Sequence, residues 1–397
     1  MNLREKMRTP RVCILCGDPF SGHHGSYKQA FLQAKEIAKN GVDVIMVSPT
    51  IDETHCGIKI EKHKLNGVEF CRVSSKLFRI KLLKMISGTI YLFLISNKFD
   101  IIQIITSHFC YTGFLLSYLF EKKFVIVTTS SREYFVKPGK LEKTKLWVIA
   151  KADIIITKTS QLFDSYKSLF PSSPEIVKIS NGVNTVRFSP VSLEQKMSLR
   201  NEFGYNHQEK IILFAGNILR EKGVDILVDQ YVKNRTRLSK SKLFLVGNNT
   251  IDSNYTKKII QMIDYHDLSN NIKLLGPTQN IERYYQIADI FILPSEREGL
   301  PNVVLEAMSS GLPCIVSDLG YTKELFSENL NGFVFPLAKP DKLSEILLKL
   351  INAPTLSETA GMNARKTIKK NYSLDAVAER YCDLYDHLAL RTKNTHR

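Results

Sequence analysis

No stretch of this 397-residue chain is apolar for long enough to cross a bilayer: the longest such run, Met85-Ile-Ser-Gly-Thr-Ile-Tyr-Leu-Phe-Leu-Ile95, falls well short of the roughly 20 residues a spanning helix needs. The N-terminal Met-Asn-Leu-Arg-Glu-Lys-Met-Arg8 passes into a strand-like run without a long apolar segment or a small-residue cleavage site. A chain that stays in the cytoplasm is therefore expected. The seven cysteines form no pair of CxxC motifs, which speaks against a zinc site or a disulfide framework and for reduced thiols. Acidic residues are scarce, 39 against 55 Lys and Arg, for a net charge of +16. The deficit is local: residues 1–190 hold 28 basic against 15 acidic residues, and the remainder 27 against 24. Such a surplus suits polyanions in general. No helix-turn-helix pattern, RNA-binding aromatic motif or zinc finger accompanies it, so nucleic acid is not an expected partner.

What is present is the composition of a folded protein, with 44% hydrophobic and 24% charged residues. The length suits two domains rather than one core. Short apolar runs alternate with helical patterns throughout, which predicts βα units and parallel sheets covered on both faces. The expected strands are 11–16, 42–47, 101–105, 124–128 and 154–157 in the first half, and 211–215, 242–246, 272–275, 290–293 and 313–316 in the second. A linker is expected near Phe188-Ser-Pro-Val-Ser192, dividing the chain into domains 1–190 and 191–370.

The most informative segment is Glu298-Gly-Leu-Pro-Asn-Val-Val-Leu-Glu306, in which seven residues separate two glutamates between an apolar run and a helical pattern. It reads as strand, loop and helix start. Pro301 fits the first helical turn, and the amides of Asn302 and Val303 would face outward as an anion site, with Gly299 in the preceding loop. Glu306, one turn in, would reach a hydroxylated group attached to that anion. The geometry suggests a sugar nucleotide diphosphate. A second loop, Ala215-Gly-Asn-Ile-Leu-Arg-Glu-Lys-Gly223, follows the strand at 211–215; Gly216 and Asn217 open it, and Lys222 at its mouth could lie against a diphosphate. In the first half, Ser21-Gly-His-His-Gly-Ser26 follows the first strand, so Gly25 would let backbone approach a ligand, with His24 beside it. The vicinal histidines have no acid or cysteine at ligand spacing, and no metal is expected. His108 follows the strand at 101–105 and Ser130 the strand at 124–128, at carboxyl ends where open parallel sheets gather ligands. Finally, residues 75–95 carry Lys76, Arg79, Lys81 and Lys84 among leucines and isoleucines. That pattern fits a basic amphipathic helix on anionic lipid and equally a helix covering a sheet.

Together these segments resemble the retaining GT-B glycosyltransferases of family 4: the 298–306 signature, the 215–223 loop against that family's Gly-Arg-x4-Lys-Gly element, and Ile272-Lys-Leu-Leu-Gly-Pro277 against the segment whose backbone meets the nucleotide base. The likeness covers nearly the whole chain and is strongest from 211 to 335. Asn217 stands where the family has arginine, Asn184 where it has aspartate, His24 where it has the first glycine of a Gly-Gly loop, and Ser130 near its usual histidine. The resemblance implies two Rossmann-like domains facing across a cleft, the first binding acceptor and the second a nucleoside diphosphate sugar, expected to be a UDP-sugar. It also implies a closing helix, 371–397, that returns to the first domain. It implies transfer with retention to a glycan acceptor, with no metal, and with Glu298 and Lys222 as the catalytic pair. Glu306 would hold ribose, and Ile272 would contact the base. The basic first half points to a lipid-linked acceptor on the inner membrane face. Two other classes also fit: a nucleotide-sugar epimerase of related fold, which would release isomerised sugar without acceptor, and an inactive sugar-nucleotide-binding partner, which would bind donor without turnover.

Overall fold

The structure, a computed structural model, describes residues 9–17, 25–51, 58–75, 81–105, 109–128, 140–206, 208–327 and 330–394. The chain forms two compact units, residues 1–182 with 374–397, and residues 183–373. Residues 183–190, expected in the first domain, therefore group with the second, where Val183 and Phe188 join its core.

In the first unit the chain runs β1 (Arg11–Leu15), α1 (Gly25–Lys39), β2 (Asp43–Ile51), β3 (Lys59–Leu65), β4 (Val68–Ser75), α2 (Lys81–Leu94), β5 (Ile101–Ile105) and α3 (Cys110–Phe120). It continues through β6 (Lys123–Val127), α4 (Lys140–Ile149), β7 (Ile154–Thr157), α5 (Ser160–Leu169) and β8 (Glu175–Lys178). The sheet order is β3-β4-β2-β1-β5-β6-β7-β8, parallel except for β3. Strands such as Ile-Ile-Gln-Ile-Ile105 are apolar on both faces because helices cover both. The β3–β4 hairpin was not among the expected strands. Its turn is Asn66-Gly67, both at positive φ, which matches the right-handed twist of the flanking strands. At the sheet edge, β3 exposes Lys59, Lys62 and Lys64, so its open backbone is guarded by charge.

The second unit begins with α6 (Leu193–Glu202), β9 (Lys210–Ala215), α7 (Val224–Lys233), β10 (Ser241–Val246), α8 (Ser253–Tyr265), β11 (Ile272–Gly276) and α9 (Ile281–Ile287). It ends with β12 (Ile290–Leu293), α10 (Asn302–Ser309), β13 (Cys314–Ser317), α11 (Thr322–Leu325), β14 (Phe333–Phe335), α12 (Asp341–Asn352) and α13 (Pro354–Asn371). Its six parallel strands lie in the order β11-β10-β9-β12-β13-β14. The chain thus winds one way from β9 to β11 and the other way from β12 to β14. Its topological switch point lies between β9 and β12, where such sheets bind ligands outside the carboxyl ends of the strands. Arg200 and Lys196 of α6 both reach Asp289, whose carboxylate also accepts the Ile211 amide, tying the entrances of β9 and β12 together.

The last helix, α14 (Leu374–Asn394), packs in the first unit with Val377, Ala378, Tyr381, Tyr385 and Leu388 in the core that contains β1 and α1. Its polar contacts are buried. Tyr385 donates to Gln103 Oε1 at 2.8 Å, and Lys158, just past β7 and 6% exposed, donates to the Tyr381 hydroxyl at 2.9 Å. Burial pulls the Lys158 ammonium down from 10.5 to about 7. The unfolded chain therefore binds more protons here between those two values, so this group's contribution to stability rises with pH across that window and is lost as pH falls toward 7. Lys158→Met is expected to raise the melting temperature most at pH 7, with the advantage over wild type shrinking by pH 9.5. A pH-independent difference in thermal denaturation would contradict this placement of the amine.

Candidate functional site

The site in the second unit is built by two loops at the switch point. After β9, Gly216 (φ +150°) starts the first loop with its amide on the Val246 carbonyl at 2.9 Å. A Cβ on the neighbouring Gly247 would lie 1.8 Å from the Gly216 oxygen, so only glycine lets these two strand ends approach so closely. The loop closes through a single 3-10 turn, Arg220–Lys222, onto Gly223, whose left-handed backbone (φ +65°) caps α7. A Cβ there would fall 2.1 Å from the carbonyl oxygen of Pro294, the residue that follows β12. The two loops are thus in backbone contact, and the Glu296 amide donates to the Glu221 carbonyl at 2.8 Å.

This contact carries Lys222 to Glu298. Lys222 Nζ lies 2.6 Å from Glu298 Oε1, with the two side chains 21% and 12% exposed. Ser295 donates to the same carboxylate oxygen at 3.0 Å, and its own carbonyl is held by the Ser317 hydroxyl of β13. Lys222 and Glu298, which the family resemblance implied as the catalytic pair, are therefore ion-paired.

Glu306 lies one helical turn further on and half-buried, on α10. Tyr285 of α9, fully buried against Phe188 and Phe291, places its hydroxyl 3.0 Å from Glu306 Oε2 and 3.2 Å from the Val303 carbonyl. Burial, and next the Glu306 charge, push this phenol well above its ordinary range, so it acts as a donor to the carboxylate. Pro301 is the N-cap of α10 rather than its first helical residue, and no side chain caps the helix. The ladder starts with Val304 and Leu305, whose amides bond back to the Pro301 carbonyl. The amides of Asn302 and Val303 precede it, at the positive end of the helix dipole.

The other expected residues divide between these two loops and places away from them. Asn217 is half-buried in the first loop, its carbonyl taken by the Leu219 amide, and Gly299 is exposed in the second. Ile272 does not share the rim. It begins β11, buried and paired with Leu243, with its amide on the Leu268 carbonyl; the residue of β11 at the carboxyl end is Gly276 (φ +68°). Gly25 is the exposed first residue of α1 in the other unit. His24, His108 and Ser130 lie outside the described residues. Sequence patterns missed Ser295, Tyr285's hold on Glu306, and Tyr321. The Tyr321 ring is 1% exposed and its hydroxyl has no hydrogen-bond partner among the described residues. Burial pushes that hydroxyl well above its usual range, and the Glu298 charge adds to the effect. Apart from a tyrosine after Gly320, nothing in the sequence signals it.

Residues 195–367 match the family described as glycosyl transferases group 1. Over 236 residues the chain is 28% identical to an uncharacterized glycosyltransferase of Methanocaldococcus jannaschii, covering 58% of this chain and 59% of that protein. Over 271 residues it is 26% identical to the GDP-mannose-dependent monoacylated alpha-(1-6)-phosphatidylinositol monomannoside mannosyltransferase of Corynebacterium glutamicum, covering 66% and 69%. The match to the first of these therefore spans less than two thirds of that relative's length. Among solved structures, the sucrose-phosphate synthase of Thermosynechococcus elongatus superposes with a TM-score of 0.79 at 20% identity, over 96% of this chain and 99% of that one. An Anabaena HepE structure in complex with UDP-glucose does so with a TM-score of 0.75 at 16% identity, over 95% and 99%.

The loop contact is testable by stability alone. Gly223→Ala places a methyl group against the Pro294 carbonyl on a backbone that disfavours it, and should cost about 2 kcal/mol or more. Tyr321→Phe removes a buried hydroxyl that has no partner among the described residues, and should be neutral or stabilising by up to about 1 kcal/mol. Denaturant midpoints check both; a tolerated Gly223→Ala, or a markedly destabilised Tyr321→Phe, contradicts the packing described.

Proposed function

We propose, from the match of residues 195–367 to the glycosyl transferases group 1 family and from the GT-B fold of the chain, that this protein is a retaining glycosyltransferase. It moves a sugar from a UDP-sugar to a hydroxyl of a lipid-linked glycan acceptor in surface polysaccharide assembly, in the cytoplasm at the inner face of the membrane. The observation that carries the proposal is the convergence of Lys222, Glu298 and the start of α10 at the switch point of a Rossmann-ordered sheet. A diphosphate laid on the Asn302 and Val303 amides meets dipole and cation together. Glu306, one turn in and oriented by Tyr285, accepts hydrogen bonds from the ribose hydroxyls. Glu298, oriented by Ser295, accepts from the transferred hexose.

In the reaction, the bond from the anomeric carbon to the diphosphate oxygen breaks as the acceptor oxygen bonds that carbon on the same face. The acceptor proton passes to the departing phosphate oxygen. Lys222 and the helix start stabilise the charge that grows there, a role that one well-placed donor fulfils to the extent of roughly 100- to 1,000-fold in rate. The cation is a side chain, so no metal is needed. Support for a uridine donor is the UDP-glucose in the name of the Anabaena structure, and support for a lipid acceptor is the phosphatidylinositol mannoside named for the Corynebacterium relative. That relative also names GDP-mannose, so a donor panel must hold both nucleotides.

Calorimetry of the full chain against that panel is expected to show one nucleoside diphosphate sugar bound, with affinity lowered roughly tenfold or more in Lys222→Ala and in Glu306→Ala. A chelator should leave both binding and turnover intact. Unchanged donor affinity in both variants would sink the site assignment.

A further inference from the structure

Three neighbouring helices of the first unit turn an apolar face outward. Helix α3 has no charged residue along Cys-Tyr-Thr-Gly-Phe-Leu-Leu-Ser-Tyr-Leu-Phe120. A helix that is apolar all round is normally buried all round. Here only one side is: Cys110, Thr112, Gly113 and Leu116 face inward, and a Cβ on Gly113 would meet the Phe124 ring at 2.1 Å, so the helix sits as close to the sheet as glycine allows. The other side leaves Tyr111, Leu115, Tyr118 and Leu119 exposed by 38, 38, 75 and 50%. On α2, Ile86, Ile90 and Leu94 recur every four residues along one stripe and are exposed by 44, 53 and 74%. The two helices are neighbours, with the Thr89 and Thr112 hydroxyls 2.8 Å apart and Phe93 edge-on to Phe120 at 5.1 Å. Trp147 of α4 extends the face, 55% exposed and 5.4 Å from the Phe114 ring.

We infer that this face of α2, α3 and α4 docks on an anionic lipid surface. Contiguous apolar area of this kind marks a partner or a membrane. Two features favour the membrane. Tyr111, Tyr118 and Trp147 each join an apolar body to a polar tip, the side-chain type that settles at the level of lipid headgroups. The flanking charges are also mainly positive: Lys98, Lys143 and Lys151 are exposed, and Lys122 and Lys145 half-exposed, with Lys151 over the Trp147 ring at 5.4 Å and Lys122 over Phe99 at 5.7 Å. Of the acids beside them, Asp100 pairs with Arg11 and Asp153 with Lys123, and Glu121 stands at the end of α3. This rim attracts anionic headgroups and would repel a second copy of itself. The anchor is thus an apolar, aromatic face on three helices, distinct from the basic stretch 75–95 that the sequence suggested, of which Lys76 and Arg79 lie outside the described residues. Among the described residues no helix is long and apolar enough to cross a membrane, so the contact is superficial. It does not depend on the proposed reaction, because it concerns lipid binding alone.

Trp147 is the chain's only tryptophan, so its emission reports this face directly. With the full chain and phosphatidylcholine vesicles containing phosphatidylglycerol, we expect cosedimentation and a blue shift of that emission, both weakened by salt and both much smaller on phosphatidylcholine alone. Leu94→Glu combined with Tyr118→Glu should lower vesicle affinity roughly tenfold or more, while circular dichroism and donor affinity stay as in wild type. Absence of binding and of a blue shift on anionic vesicles overturns the inference, as does binding that the double variant leaves intact. A dimer in light scattering that the same variant dissolves would assign the face to a second copy instead. Donor affinity is read separately, so a failure of lipid binding is distinguishable from a failure of the proposed transferase reaction.

Discussion

The close seating of Gly223 on the Pro294 carbonyl is the constraint on which the candidate site depends. Parallel strands β9 and β12 are adjacent, but the loops that leave them could splay apart. Glycine in a left-handed conformation removes the side chain that would force them to, and the Glu296–Glu221 backbone bond then fixes their register. Lys222 and Glu298, 76 positions apart in sequence, come to 2.6 Å as a result. The same reversal of winding that makes this the switch point of the sheet leaves the carboxyl ends of both strands open to a ligand.

The pair has an electrostatic consequence. Both side chains are largely withdrawn from water, so their attraction exceeds the about 0–1 kcal/mol of an exposed pair. A diphosphate that takes Lys222 must draw it away from, or share it with, a carboxylate already held in place by Ser295. Tyr321 adds a hydroxyl without a partner among the described residues, within the field of the same carboxylate. The lysine is thus held in a fixed position by Glu298, which is itself held by Ser295. Tyr285 plays the corresponding part for Glu306, whose orientation is set by a buried phenol rather than by solvent.

Much of this was legible in sequence where chemistry and periodicity coincide. The apolar runs at 101–105, 154–157 and 290–293 are strands with those bounds, because strands buried on both faces carry no other pattern. The loops bearing Lys222 and Glu298 were visible as glycine-bearing breaks after such runs. Strands β3, β4, β8 and β14 were not. Strand β3, the charged edge partner of β4, has almost no apolar signal and is betrayed only by Asn66-Gly67, while β8 and β14 have just four and three residues. Ile272 was placed by likeness to a segment, whereas the geometry of a parallel sheet assigns the ligand rim to the far end of that strand, at Gly276. Ser295, Tyr285 and Tyr321 escaped because hydroxyl roles arise from tertiary contact and leave no spacing to read. The outward apolar face of α2 and α3 was equally hidden: a sequence shows that a helix is apolar, not that half of it is left uncovered.

The central claim is that the Lys222–Glu298 pair is the diphosphate site, with the carboxylate in competition for the lysine. Calorimetric titration of UDP and GDP into wild type and Glu298→Gln tests it most directly. Removing the negative charge while keeping the shape should tighten binding of the nucleoside diphosphate severalfold, since Lys222 is then no longer shared and the anion no longer faces a carboxylate. Affinity that is unchanged or weaker in Glu298→Gln would contradict the account.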